Sequence, residues 1–431
     1  MISRALAWTL LFACIGCTPT QTQLPPAPEV QTPARSWTAE ALADLILVAD
    51  AAPDHGFAHE HDTIAELRRL DAASDSDAGA AAALDARASA LFRKLARQFA
   101  QGAVDPRADP AWHIPPTPAA MLEPPAHGVA DTLFALLPAD AEYRALTMEH
   151  ARLRDLGDLD PTRAAHLRAS MERRRWLPRE LPARRIEVIV PFFELHLRDG
   201  EGVRTRRRVI IGARTTPTPS FASALEAITF NPSWTPPLSI ALGELAPRFQ
   251  RDPGAAAADG FDILDRNGGA VDPNAVDWAA RPFPYSIRQR PGPNNALGSV
   301  RFELSNPFAI YMHDTPGRRL FDRTDRALSH GCIRVQRPEE LAVEVLADPG
   351  WDRAAVEAAI ARGATRTVQL PEHLPVYILY LTASTDEAGA VIYADDLYGR
   401  DAALLQALEN ADAPITAERN TAETDCASAI P

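Results

Sequence analysis

The spacing of apolar residues changes once along the chain, and this change limits the fold more than any other feature. Between Trp37 and Trp176, segments such as "ALDARASALFRKLARQFAQG" repeat apolar residues every three or four positions, the period of a helix. From Ile186 the period is two, as in "IEVIVPFFELHLRDGEGVRTRRRVIIGA", which is typical of strands. We therefore predict an α+β fold, with a helical domain over 37–183 and a mainly β domain over 184–400.

Single residues predict where several elements begin and end. Gly102 should end a long helix, Pro161 suits the first turn of another, and Pro338 should begin a helix that follows "SHGCIRV". Residues 214–299 are rich in Pro, Gly, Asn and Trp and predict an irregular insertion. Loops of that length are usually functional, often as lids. Residues 401–431 predict a C-terminal helix and tail.

The N-terminal segment "MISRALAWTLLFACIGC" is typical of an export signal. One positive charge, Arg4, precedes an apolar run that is too short to anchor a helix across a bilayer. The run ends in a sequence that resembles a bacterial lipoprotein lipobox, so we expect residues 1–16 to be removed and Cys17 to be lipidated. The alternative is an ordinary secretory peptide that leaves Cys17 unmodified, and either way we expect export. The proline-rich residues 17–36 predict an extended linker.

Charge and cysteine content exclude several functions. Acidic side chains outnumber basic ones by 57 to 44, a net charge of -13, so we expect no nucleic-acid partner. After processing, Cys332 and Cys426 would remain as thiols, and a disulfide between them is conceivable, although Cys426 lies in a polar tail. Cys332 has no CxxC partner, and the histidines of "DHGFAHEHD" fall in an expected interhelical turn. We therefore predict no metal site.

The sequence "SHGCIRV" places Cys332 directly after His330 and Gly331. A cysteine attacks as a thiolate and needs a base or electropositive surroundings, and both His330 and the upstream His313 are candidate bases. Gly331 permits a tight turn whose backbone N–H groups could stabilise an oxyanion. From these residues alone, the alternative of a packed core cysteine stays open.

The longer sequence "HDTPGRRLFDRTDRALSHGCIRV" resembles the signature of the L,D-transpeptidases, the YkuD-type catalytic domain. That signature is a histidine, about sixteen residues, then Ser/Thr-His-Gly-Cys, and here sixteen residues separate His313 from His330. The segments "RWLP", "NPSWTPP" and "GPNNALGSVRFELSN" resemble the large periplasmic type found in proteobacteria, and the helical half resembles its scaffold domain. That type usually carries a peptidoglycan-binding module before "RWLP", and too few residues separate Tyr143 from Arg175 to accommodate one.

The resemblance implies roles for individual residues. Cys332 would be the nucleophile, and His313 the base that takes its proton and later serves the acceptor amine. Gly331 and Cys332 would supply oxyanion donors, and His330 and Ser329 would position the turn. The resemblance also suggests substrate contacts for Arg334, Tyr311 and Trp234. For Arg334 the alternative is a structural salt bridge, and for the two aromatic residues it is a buried packing role.

The resemblance also implies a reaction that needs no metal or cofactor. The cysteine of a peptidoglycan L,D-transpeptidase attacks the carbonyl of the third stem residue, which we expect to be meso-diaminopimelate, and releases D-Ala. The resulting thioester passes to the amine of a second stem, which forms a 3→3 cross-link. A lysine of an envelope protein or water could instead be the acceptor, and a non-catalytic wall-binding lipoprotein is a further alternative. We expect a lipid-anchored protein in the periplasm of a Gram-negative bacterium, with the outer membrane favoured as the site of the anchor. We also expect carbapenems to acylate this protein.

Overall fold

The computed structural model describes residues 36–116 and 122–412. The predicted leader, the predicted lipidation site Cys17, most of the predicted linker and the C-terminal segment that contains Cys426 lie outside these ranges. The N-terminal domain is helical, and α3 ends at Gly102 and α6 begins at Pro161, both as predicted. Its helices are α1 (Ala39–Ala51), α2 (His61–Ser74), α3 (Ala78–Gln101), α4 (Val129–Phe134), α5 (Ala141–Asp155) and α6 (Pro161–Arg175).

In the described residues, fourteen strands follow. They are β1 (Arg184–Ile189), β2 (Glu194–Asp199), β3 (Gly202–Gly212), β4 (Phe221–Phe230), β5 (Phe261–Leu264), β6 (Ala270–Val271), β7 (Ser286–Gln289), β8 (Val300–Leu304), β9 (Met312–His313), β10 (Ala327–Ser329), β11 (Ile333–Val335), β12 (Arg366–Leu379), β13 (Ala383–Thr385) and β14 (Val391–Tyr393). The α+β fold predicted from the change of period is confirmed.

The main sheet has the order β10-β3-β11-β9-β8-β4-β12-β1-β2, and β2 also pairs with β3. The sheet therefore closes on itself, and the apolar side chains of alternate positions face an enclosed core. Core residues on neighbouring strands include Phe230, Phe302 and Met312. Two helices complete this core, α10 (Pro338–Leu346) and α11 (Arg353–Ala361).

The prediction of an irregular insertion over 214–299 is wrong for the first part of that range. Strand β4 lies within that range, and it pairs with both β12 and β8 near the middle of the main sheet. Its sequence, "FASALEAITF", is rich in alanine and interrupts the two-residue apolar pattern, so the strand was not recognised. The inserted segment begins after Phe230 and contains three helices, α7 (Leu238–Ile240), α8 (Ala246–Arg251) and α9 (Pro253–Ala258), with a π-helical turn at Ala241–Leu245.

The inserted segment is also more ordered than predicted, because it has its own small core. Strands β6, β5 and β7 form a separate three-stranded sheet. Phe249, Phe261 and Trp278 are buried together against this sheet. The segment is therefore a folded lobe attached to the main sheet, rather than an irregular loop.

The end of α6 joins the two domains through buried charges. Four consecutive residues, Glu172, Arg173, Arg174 and Arg175, are almost completely inaccessible to solvent. Arg173 forms an ion pair of 2.5 Å with Asp401 on the C-terminal helix α12 (Arg400–Asp412). Each buried arginine has an acidic partner on its own helix or a neighbouring element, which is the condition for burying such a charge. Within the described ranges, none of the helices combines the length and apolar character that a bilayer crossing needs.

Candidate active site

Strands β9 and β11 bring the predicted nucleophile and base to one face of the main sheet. The two strands are parallel, with Ile333 opposite Met312 and the next residue of each strand also paired. Ile333 and Met312 point into the apolar core, and side chains alternate along a strand. The residues that flank them therefore share the opposite, polar face: Tyr311, His313, Cys332 and Arg334.

Ser329 fixes the turn that carries the cysteine. Its hydroxyl donates to the carbonyl oxygen of Cys332 over 2.5 Å and accepts from the N–H of Gly331 over 3.1 Å. Its carbonyl oxygen accepts from the N–H of Ala213 over 2.7 Å and from the hydroxyl of Thr216 over 3.0 Å. Ser329 therefore lies where an orienting residue is needed, between the cysteine and the end of β3.

Gly331 has a backbone conformation that side-chain-bearing residues rarely adopt, with φ of +114°. Its carbonyl oxygen accepts from the hydroxyl of Thr218 over 2.8 Å, and that hydroxyl accepts from the N–H of Gly212 over 2.9 Å. Because the N–H of Gly331 already donates to Ser329, the predicted oxyanion role would require this N–H to change its partner.

His313 is buried, and backbone carbonyl groups surround its ring. Nδ1 lies 2.5 Å from the carbonyl oxygen of Asp314. Burial lowers the pKa of His313 from 6.5 to about 3, and the positive charges of Arg334 and Arg301 act in the same direction. Hydrogen bonding to the carbonyls of Asp314 and Leu297 opposes this shift. The imidazole is therefore neutral at pH 7, which is the form that accepts a proton.

Cys332 is partly buried, and its Sγ lies 3.9 Å from the carbonyl oxygen of Ala309. Burial raises the pKa of this thiol above its ordinary value. Hydrogen bonds from the backbone and side chain of Tyr311 oppose that shift, as do the charges of Arg334 and Arg301. Because burial dominates, the thiol is protonated at neutral pH, and a nucleophilic role requires a base nearby.

Arg334 lies two residues after the cysteine, on the same face of β11. It forms no ion pair with any carboxylate among residues 36–116 and 122–412, and its buried Nε has no hydrogen-bond partner. Burial lowers the pKa of this guanidinium, but arginine remains charged in proteins. The salt bridge that was the structural alternative for Arg334 is therefore not observed, and a cation without a carboxylate partner lies beside the thiol.

Tyr311 lies between Cys332 and a groove of about 560 Å³, and Trp234 lines the same groove. The guanidinium of Arg301 lies 5.4 Å from the centre of the Tyr311 ring. Trp234 is paired with Gln289 through two backbone hydrogen bonds of 2.7 and 2.9 Å, and its ring lies 6.3 Å from Phe261. Trp234 was expected either to contact substrate or to have a buried packing role. Its position is consistent with both, since it packs on the inserted lobe and also faces the groove.

Comparisons with known proteins assign the two halves of the chain. Residues 183–369 match the model of the L,D-transpeptidase catalytic domain (YkuD), and residues 33–149 match the Scaffold domain model. The chain thus contains a region that is similar to an L,D-transpeptidase catalytic domain. It is also 36% identical over 219 residues to a Haemophilus influenzae protein named "Putative L,D-transpeptidase". That alignment covers 50% of this chain and 44% of the relative, less than half of the relative's length.

His330 contacts the inserted lobe. Its Nε2 lies 2.6 Å from Oε1 of Glu244, and both side chains are about half exposed. Glu244 belongs to the π-helical turn, so the pair connects the cysteine-bearing turn to the lobe. The sequence motif identified His330, but its partner lies 86 positions away and has no motif of its own.

Sequence reasoning missed several residues that shape the candidate active site. Asp314 is buried, and its Oδ2 accepts from both the N–H and the hydroxyl of Ser299 over 2.9 Å. The adjacent Gly298 has φ of +62°, and a Cβ there would overlap the Asp314 carboxylate. A signal was available, since Asp314 follows the predicted base directly in "HDT". Thr218 and Arg301 carried no comparable signal. No set of three or more histidine, cysteine, aspartate or glutamate side chains in the described residues is arranged to bind a metal ion.

Proposed function

We propose that this protein is a peptidoglycan L,D-transpeptidase that forms 3→3 cross-links through a cysteinyl thioester. One observation carries the proposal, namely the placement of the partly buried Cys332 one strand away from the neutral His313 on the polar face of the sheet. The matches to the catalytic and scaffold domains support the reaction class. The stem peptide, the cross-link and the intermediate are inferred from the resemblance to the L,D-transpeptidases.

The proposed reaction has two steps. In the first, His313 takes the proton of Cys332, and the sulfur attacks the carbonyl carbon of the third stem residue. The amide bond to D-Ala breaks, the proton passes to the leaving amine, and a thioester remains. In the second, the side-chain amine of another stem attacks the thioester, a new amide bond forms, and the thiol is restored. One amide replaces another, so no nucleotide is consumed.

Arg334 supplies the charge that this site needs for an anionic substrate. Stem peptides carry carboxylates near the attacked carbonyl, and a guanidinium without a carboxylate partner beside the sulfur can bind one. The same charge favours the thiolate over the thiol. We further propose export and lipidation at Cys17, with the protein lipid-anchored in the periplasm, on the basis of the N-terminal sequence alone.

Intact mass spectrometry of the full-length protein with disaccharide-tetrapeptide tests the proposal. We expect a thioester adduct on Cys332 with loss of D-Ala, then a dimer joined 3→3, and also an adduct with meropenem. Cys332→Ala should abolish every adduct, whereas the matched variant Cys426→Ala should retain them all. Tripeptide alone would indicate hydrolysis or a missing protein acceptor. Full product formation by Cys332→Ala would refute the nucleophile assignment.

A further inference from the structure

The groove beside Tyr311 crosses four strands on the polar face of the main sheet. It extends over β9, β8, β4 and β12, and the inserted lobe borders it through the residues after β4. Its charged lining residues are one arginine and two glutamates: Arg301, Glu303 and Glu226. The groove thus offers both signs of charge, next to the predicted nucleophile but on the far side of Tyr311.

Arg301 and Glu303 have fixed positions on β8. Oε1 of Glu303 accepts from Nε of Arg301 over 2.7 Å and from the hydroxyl of Thr229 over 2.7 Å. The Arg301 guanidinium also lies over the Tyr311 ring. Each charged side chain is a little under one-third exposed, so neither is freely solvated. Only Nε of Arg301 is used in this pair, which leaves the terminal N–H groups for a carboxylate ligand.

The distance from the sulfur limits what the charged pair could bind. Cys332 precedes β11, and Arg301 and Glu303 lie on β8, two strands away in the order β11-β9-β8. At about 4.8 Å between strands, the charged pair lies roughly 10 Å from the sulfur along the sheet. An acceptor amine must approach the thioester itself. A group at this distance is therefore better placed to bind the far end of the side chain whose carbonyl is attacked.

We infer that the groove binds the zwitterionic end of the diaminopimelate side chain of the acyl-donor stem. This inference rests on the proposed function. Arg301 binds the distal carboxylate of diaminopimelate, and Glu303, with Glu226 nearby, binds the ammonium group on the same carbon. Tyr311 separates this end from the carbonyl that Cys332 attacks. The groove therefore selects diaminopimelate over lysine, which has the amine but lacks the carboxylate.

Single-turnover formation of the thioester, followed by intact mass, tests this selection. Two tetrapeptide donors are compared, one with meso-diaminopimelate and one with L-lysine at the third position. The lysine donor lacks the carboxylate and so loses one charge-assisted hydrogen bond with Arg301. We therefore expect Cys332 of the full-length protein to be acylated roughly tenfold to a hundredfold faster by the diaminopimelate donor. Arg301→Gln should reduce this ratio to near one. Arg353→Gln, an exposed change on α11, should leave it unaltered.

The ratio of the two donors separates selection from general damage. A variant that only perturbs Cys332, His313 or the fold slows both donors equally and preserves the ratio. Equal rates for both donors in the unaltered protein, or an unchanged ratio in Arg301→Gln, would overturn the inference. A variant that keeps the acylation ratio but diverts the thioester from dimer to tripeptide would place the acceptor in the groove, which also overturns it.

Binding to Cys332→Ala keeps the inference distinct from the proposed function. The probes are the tripeptides L-Ala-γ-D-Glu-meso-diaminopimelate and L-Ala-γ-D-Glu-L-lysine, titrated by calorimetry. Tighter binding of the first that disappears in Cys332→Ala/Arg301→Gln supports the groove even if no thioester ever forms. Equal binding of the two probes, in a protein that is acylated normally, would overturn the groove and leave the transpeptidase standing.

Discussion

Glu142 is the carboxylate through which the scaffold and catalytic domains share two buried arginines. It lies on α5, pairs with Arg174 of α6 and with Arg198 of β2 at 2.7 Å, and accepts from the hydroxyl of Ser384. The two guanidiniums lower the pKa of Glu142 to about 2, although its complete burial acts in the opposite direction. Removing this charge would leave both arginines partly uncompensated in the interior.

We expect Glu142→Gln to lower the free energy of unfolding by about 3–5 kcal/mol, the usual cost of removing one partner from a buried ion pair. The matched variant is Glu149→Gln on the same helix, where the acid pairs with the exposed Arg152 at 2.8 Å. Its expected cost is below about 1 kcal/mol. Guanidinium unfolding, followed by both circular dichroism and tryptophan fluorescence, measures the two variants side by side. Equal costs would show that the buried network does not stabilise the domain junction.

The pH dependence gives a second check on Glu142. Its pKa is lower in the folded protein than the ordinary value of 4.5, so its contribution is fully present above pH 4.5 and is lost as the pH falls towards 2. The difference between the unaltered protein and Glu142→Gln should therefore shrink over that interval. A difference that stayed constant down to the acid limit would contradict the ionic explanation.

Two further outcomes follow from the site and its surroundings. Thr218→Val removes the hydroxyl that links Gly212 to Gly331. We expect this variant to lower the free energy of unfolding by about 1–3 kcal/mol and to slow thioester formation. Urea titration measures the first effect, and single-turnover mass spectrometry measures the second. Burial lowers the pKa of both His55 and His313 to about 3, so the unfolded chain binds protons there first and stability falls as the pH drops below 6.5. Each histidine should lower the free energy of unfolding by about 1 kcal/mol between pH 7.5 and 5.5. His55→Asn should remove its part of this dependence of stability on pH, measured by urea titration at each pH. An unchanged dependence on pH in His55→Asn would refute the explanation.

The sequence was informative where function depends on residues close together in the chain. Cys332 and His313 were predicted from one motif, whose two ends lie beside each other because β9 and β11 pair directly. The alternating pattern likewise predicted β1 to β3. The pattern does not predict strand β4, because its alanine-rich sequence is buried at several consecutive positions and shows no clean alternation.

Long-range charge pairing could not be predicted from the sequence. The run "ERRR" at the end of α6 is typical of a solvated helix surface, yet its arginines are buried. Arg174 pairs with Glu142 of α5 and Arg173 with Asp401 of α12, far along the chain, so no local pattern indicates their burial. The groove has the same origin, since its lining side chains come from strands that are far apart in the sequence and become neighbours only when the sheet forms.

The hydrogen bonds around the cysteine-bearing turn have a consequence for how the proposed activity would be lost on heating. The carbonyl oxygens of Ser329, Gly331 and Cys332 all have donors within the protein. The entropic cost of ordering this turn is therefore met during folding and not when substrate arrives. Preorganisation of this kind would tie the proposed activity to global unfolding, so heat inactivation should follow the melting curve and not precede it.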